Sequence, residues 1–406
     1  MKKTTALGLV FCLLLAACGQ QPNHPSEAKK SSSPIVLSSA NEESNITPSG
    51  QVAEPEKSAK NLHPEMHTQS ALTGDYIETA DAIYYNDRFR NRIYFSVDKG
   101  SHFYPLCSKA NCSHSDENCS ASGYGVGYFE GSLYTIRFDS EADLFRVIRI
   151  SLDGTDQEVV RTIPFPGGGA FKYFYHNGKA FLLYWPSSDR PLEELKNRVF
   201  VVDLATGELT EPLQGLLQDG LRIGTFRFYQ NVLTVKTGGT YTDSGYEQTR
   251  VLYIDLNTWD VREYMKQVET SLGYLDENSL YFLVNRNKDF EDSPDHNEGF
   301  YEQDLQTGEI IQRLKTDDVL NATYDEDYIY ALSYARDKDG QYHTLYIFTR
   351  NYELVEQKDL EKYEFLTFVS SERIFFSRYY DAGKLYRYME KSDIGSGDMP
   401  IYDVNK

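Results

Sequence analysis

Beyond residue 70 the chain alternates apolar and polar positions with a period of two, in short runs that recur. The clearest are Val199-Phe200-Val201-Val202-Asp203-Leu204 and Phe300-Tyr301-Glu302-Gln303-Asp304-Leu305, followed by Thr206-Gly207 and Thr307-Gly308. Residues 251–256 fill the same slot, as do 147–152, which end in Asp153-Gly154. Each run follows a polar turn and an aromatic strand, as at Asn177-Gly178 before 181–184 and Asp325-Glu326-Asp327 before 328–330. Alternation rich in Tyr, Phe, Val and Ile suits half-buried strands, and Asn-Gly or Asp-Gly supplies the positive φ of tight hairpins. The turns fall at positions 82, 131, 178, 231, 278, 327 and 372, spaced 45 to 53 residues apart. A unit of four strands repeated at that period predicts an all-β β-propeller over residues 71–406 with seven four-stranded blades. Six or eight blades are the alternatives, because the first and last units are the least regular. No sustained 3.6-residue period appears outside a short insert at 191–196.

The start of the chain has a different pattern. Lys2 and Lys3 precede an apolar run over residues 6–17, too short to span a bilayer and ordered like a secretory signal peptide. Leu15-Ala16-Ala17-Cys18-Gly19 resembles the lipobox of bacterial lipoproteins, in which the cysteine is acylated and becomes the mature N-terminus. That resemblance implies residues 1–17 as signal peptide, Cys18 as the palmitate-bearing residue, and an extracytoplasmic body held to the membrane by its N-terminal lipid. If the source is Gram-positive, that is the outer face of the cell membrane. Residues 18–70 are polar, without an aromatic side chain, and read as a disordered tether.

Formal net charge is −20, and removing residues 1–17 with their two lysines makes it −22. So acidic a chain argues against nucleic acid as a partner and against electrostatic adhesion to lipid.

The third-strand pattern Tyr301-x-x-Asp304-Leu305-x-Thr307-Gly308 resembles that of bacterial propellers of the TolB-like and quinoprotein-like kind. With Pro105-Leu106-Cys107 early in the body, the chain is similar to propeller lipoproteins of Gram-positive gut bacteria. The resemblance implies fold and surface location, and no particular ligand.

Turns after the first and third strands of a blade share one face of a propeller, and those after the second and fourth share the other. The second set holds the long inserts, at 185–197, 237–248, 285–299 and 335–341. Long loops on a rigid scaffold are where binding residues gather. Tyr184, Trp185, Tyr241, Tyr246, Phe290, Tyr342, Tyr379 and Tyr380 are the aromatic candidates there, as anchors for an extracellular glycan or protein. Against each stands the abundance of tyrosine, 32 in the chain, which puts rings at any loop edge.

Cys107, Cys112, His114 and Cys119 fall within 13 residues. They could enclose a structural zinc as a closed Cys₃His site. A disulfide with one spare thiol is the competing reading, and it leaves His114 without a role.

No catalytic motif stands out. The body's five histidines are scattered, and Gly-x-Ser-x-Gly and His-Glu-x-x-His are missing from the sequence. The acidic loop 289–296 reads as a solvated surface segment before it reads as a calcium site or a carboxylate pair. The expectation is a surface-anchored binding or scaffold lipoprotein rather than an enzyme. A polysaccharide hydrolase or lyase on the same fold is the alternative.

Overall fold

Each predicted turn joins two strands in the structure, a computed structural model. It describes residues 75–405 except 88, 115–118, 166–168, 187–196, 215–221, 230, 239–240, 243–244, 247–249, 267–269, 276–277, 285–298, 315–318, 338–339 and 379–384. All described residues belong to the unit spanning 60–406.

Seven antiparallel four-stranded sheets make the β-propeller. Blade 1 comprises β1 (Tyr76–Glu78), β2 (Ile83–Asp87), β3 (Arg92–Ser96) and β4 (Tyr104–Pro105). Blade 2 comprises β5 (Tyr124–Phe129), β6 (Ser132–Asp139), β7 (Leu144–Ile150) and β8 (Gln157–Pro164). Blades 3 to 7 follow over residues 169–210, 222–266, 270–314, 319–359 and 364–403. In every sheet the strand order follows the chain, so each blade is one continuous stretch.

The turn chemistry explains the repeat. Asn177 and Gly178 take φ of 46° and 67°, both positive, as the two-residue hairpin requires. A Cβ on Gly178 would also stand 2.7 Å from the Phe129 ring. Between third and fourth strands, Asp203 Oδ1 accepts from the N–H groups of Ala205 and Thr206 and from Thr206 Oγ1, at 2.9 to 3.1 Å. Asp304 repeats this with Gln306 and Thr307. The Thr307 N–H and hydroxyl hold the Asp304 carboxyl below its ordinary range.

Seven clusters of buried apolar side chains occupy the seven seams between blades. Burying one such Phe or Ile contributes about 2 kcal/mol, so the ring is held mainly by its seams. Blade 7 meets blade 1 mainly through side chains: Tyr76 stacks on Phe368 at 4.2 Å, and its hydroxyl donates to the Val369 carbonyl at 2.9 Å, while the Asn405 N–H donates to the Ser101 carbonyl at 2.8 Å. Ser371 donates its N–H (2.7 Å) and hydroxyl (2.5 Å) to the Glu78 carboxylate, and Lys99 pairs with Glu372.

The expected insert at 335–341 is mostly strand. β24 (Tyr328–Asp337) and β25 (Gly340–Thr349) continue their pairing through Asp337 and Gly340, so alternation runs past the expected loop. Within 237–248, β15 (Tyr241–Thr242) and β16 (Gly245–Tyr246) form a two-stranded ribbon.

Candidate functional site

The seam between blades 1 and 2 carries the chemistry. After β4 the chain leaves the blade, and residues 121–123 return to the edge of β3. The Leu106 N–H donates to the Ile93 carbonyl (2.9 Å), the Ile93 N–H to Ala121 (2.8 Å), and the Gly123 N–H to Asn91 (3.0 Å). The outer strand of blade 1 is therefore split, with an excursion between its halves. Cys107 stands at the exit of that excursion and Cys119 at its return.

Inside it, Cys107, Cys112, His114 and Cys119 bring their ligand atoms within 4.8 Å of one another. His114 Nδ1 lies 3.5 Å from Cys119 Sγ. Asn111 and His114 hold φ of 66° and 54°, a left-handed backbone that costs about 1 kcal/mol for each non-glycine residue. All three thiols are free. Burial would raise the Cys107 thiol, but the Ser120 hydroxyl, the Lys109 N–H and the two other thiols bring it down to about 6. Burial pushes Cys119 up to about 11. The four residues could hold a metal ion.

Beside this cluster a cleft of about 950 Å³ is lined by Arg90, Arg92, Lys109, Arg137 and Arg146, with Asp139, Glu141 and Glu158 as its acids. Arg92 Nε donates to the His114 carbonyl at 3.0 Å and its Nη1 to Ser122 Oγ at 3.0 Å. Arg137 donates to the carbonyls of Ser122 (2.6 Å) and Ser120 (2.7 Å), and forms no carboxylate pair among the described residues. Burial lowers its guanidinium to about 10, where it is still charged at neutral pH. Arg146 pairs with Asp139 at 2.5 Å, and Arg149 with Glu158. The cleft runs from the turns between second and third strands of both blades and the loop after β4 to Gln157, Glu158 and Val159 at the start of β8.

The aromatic candidates are dispersed. Tyr184 is 2 % exposed and packs edge-on to Phe165 at 5.4 Å in the seam of blades 2 and 3, which removes it from the surface set. Its strand, β10 (Lys179–Pro186), is buried on both sides from Ala180 to Tyr184, so alternation gave no sign of which way the ring faced. Trp185 is half-buried under Lys172, 5.3 Å from its ring. Tyr241 and Tyr246 pair across the ribbon, and Tyr342 opposes Ala335 within β25. Phe290, Tyr379 and Tyr380 lie outside the described residues, as do Cys18 and the acidic loop. Sequence reading missed the arginines, which come from separate strands and carried no motif.

No family model matches the chain, and no curated protein matches it. Solved structures share its architecture. Oligogalacturonate lyase from Vibrio parahaemolyticus is 12 % identical, with 85 % of this chain and 91 % of that one covered, at a TM-score of 0.49. A puromycin-hydrolyzing peptidase from Mycobacterium tuberculosis is 11 % identical at a TM-score of 0.52, with 84 % of this chain and 54 % of that chain covered. This chain thus spans about half of that peptidase. The β-propeller domain of the Trilobed protease from Pyrococcus furiosus is 11 % identical at 0.48, covering 82 % of this chain and 96 % of that one. At such identities the likeness is one of fold. It nevertheless corrects the expectation of a non-enzyme: a propeller of this architecture occurs in the puromycin-hydrolyzing peptidase, so the fold gives no ground for excluding catalysis.

Proposed function

We propose that the chain is an enzyme acting on an anionic polysaccharide outside the cytoplasm, with the polymer in the cleft between blades 1 and 2 and the body tethered through lipid on Cys18. The observation that carries this is the gathering of five cationic side chains in one cleft of a chain whose net charge is −20. Guanidinium forks match sugar carboxylates in a planar, two-bonded geometry. Tyr124 and Phe138 also line the cleft, with their rings packed toward Phe171 of blade 3 at 5.0 and 6.5 Å. Long-range repulsion is screened within about 8 Å at physiological salt, so the local field of the cleft decides.

Cleavage by elimination or hydrolysis needs a group that moves a proton while cations hold the sugar's own carboxylate. Asp139 and Glu158 are engaged with arginines, and Glu141, also exposed, forms no such pair among the described residues. Glu141 is therefore assigned the proton transfer, with Arg137 and the exposed Lys109 on the substrate anion.

The test incubates the purified protein with polyuronates and with neutral glucans, following unsaturated products by ultraviolet absorbance and new reducing ends by chemical assay. Polyuronate turnover that Glu141→Gln abolishes is expected. Retention without turnover would leave a binding site and remove the catalysis, and absence of both would end the reading.

A further inference from the structure

The cysteine and histidine cluster is a separate feature whose chemistry stands whether or not the cleft takes a glycan. A tetrahedral zinc with sulfur ligands at about 2.3 Å places those ligands about 3.8 Å apart. The observed spread, all four ligand atoms within 4.8 Å with His114 Nδ1 at 3.5 Å from Cys119 Sγ, is that of such a shell before it tightens. We infer that Cys107, Cys112, His114 and Cys119 bind one Zn²⁺ in a closed Cys₃His site that ties off the neck of the blade 1 excursion.

Three features of the segment support zinc over a disulfide. First, four donors converge where a bridge needs two, and His114 takes a left-handed backbone while its ring nitrogen faces the sulfurs. Second, three thiolates and a neutral imidazole around Zn²⁺ leave a charge of −1, and the neighbouring cations are placed to balance it. Arg92 holds the His114 carbonyl, and Arg137 holds the carbonyls on both sides of Ala121, two residues past Cys119. Third, the site sits at a structural weak point. β4 has only two residues, and beyond Leu106 the outer edge of β3 is completed by the returning residues 121–123.

With all four positions filled by protein, the zinc has no open site for substrate, so its role is to fix the segment 119–123. Cys119 and Ala121 are fully buried against Ile93, Val126 and Ile148, which gives the tied segment an apolar floor. The same segment carries the carbonyls that Arg137 grips, so the metal also sets the position of that arginine in the cleft. Binding converts three thiols to thiolates and releases their protons, which makes affinity fall as pH is lowered.

The experiment uses the whole mature protein. Elemental analysis is expected to give about one zinc per chain. Thiol titration should find three groups that react only after chelation or unfolding. Replacing zinc by Co²⁺ should give the visible bands of tetrahedral cobalt with sulfur-to-metal charge transfer, and His114→Ala should shift those bands or abolish them. Should that variant not fold, chelator titration of the unaltered protein, followed by thermal unfolding, keeps the test open: removal of the metal is expected to lower Tm. One reactive thiol without metal would overturn the proposal in favour of a disulfide. Three readily reactive thiols without metal affinity, or stoichiometric iron or copper in place of zinc, would overturn it as well.

Discussion

The two seams that flank blade 1 are built on opposite plans. Toward blade 7, Tyr76, Tyr85, Phe368 and Phe375 fill the interface, with rings 4.2 to 5.7 Å apart and a thin polar margin at Glu78, Lys99 and Arg373. Toward blade 2 the outer part of the interface is an open cleft with arginines along its wall and a ligand cluster at its edge. One seam holds the ring shut, while the other leaves polar groups accessible at some cost in packing. The same four-strand unit thus serves both ends according to what its loop after β4 contributes.

The largest effect should come from the closed seam. Phe368→Ala empties a site between the stacked Tyr76 ring and the tilted Phe375 ring and is expected to cost about 4 kcal/mol in chemical denaturation. Cleft binding measured below the unfolding transition should be unchanged. Equal losses of both would show that the seams are not independent. Arg137→Gln should then weaken polyuronate retention about thirtyfold, close to 2 kcal/mol for a charge-assisted contact. Its loss should shrink as salt is raised, whereas the Phe368 deficit should not. Lys109→Ala, at the exposed rim, is expected to weaken retention about threefold without a change in stability.

The smallest effect is a pH dependence at the closed seam. Asp98 accepts from Ser96 Oγ at 2.6 Å and from the His102 N–H at 3.0 Å, with His102 Nδ1 2.6 Å from its other oxygen. Burial alone would raise its carboxyl, but these bonds bring it down from 3.8 to about 2. A lowered folded-state value stabilises above the unfolded one and is lost as pH falls through the folded one. Stability should therefore decline between 3.8 and about 2, and Asp98→Asn should flatten that limb of the denaturation curve. An unchanged slope in the variant would mean that other carboxylates govern it.

What could be read from sequence follows the range of the interactions. Hairpin turns such as Asn177-Gly178 and the Asp203-to-Thr206 cap are set by neighbours a few positions apart, and all seven turns were legible. The convergence of Cys107, Cys112, His114 and Cys119 was legible for the same reason. The cleft was not, because Arg92 lies on β3 and Arg137 and Arg146 on β6 and β7, and only the docking of two blades brings them together. Net charge gave no sign of it, since a sum over the chain hides a local gathering of cations. Tyr184 misled because its strand is buried on both sides, which erases the alternation that separates inside from outside.

Because the four strands of each blade follow one another along the chain, the ring need not wait for its two ends to find each other before its sheets form. Each sheet can complete its hydrogen bonds as soon as its own 30 to 45 residues are available, and seams can then add one at a time along the chain. Closure is left as the last event, a docking of preformed surfaces that forms no new sheet. Pulse-labelled hydrogen exchange during refolding should show blades 2 to 6 protected before the backbone around Tyr76 and Phe368. The molecule is in this sense a bracelet with a clasp, and the clasp is the part on which destabilising changes will act first.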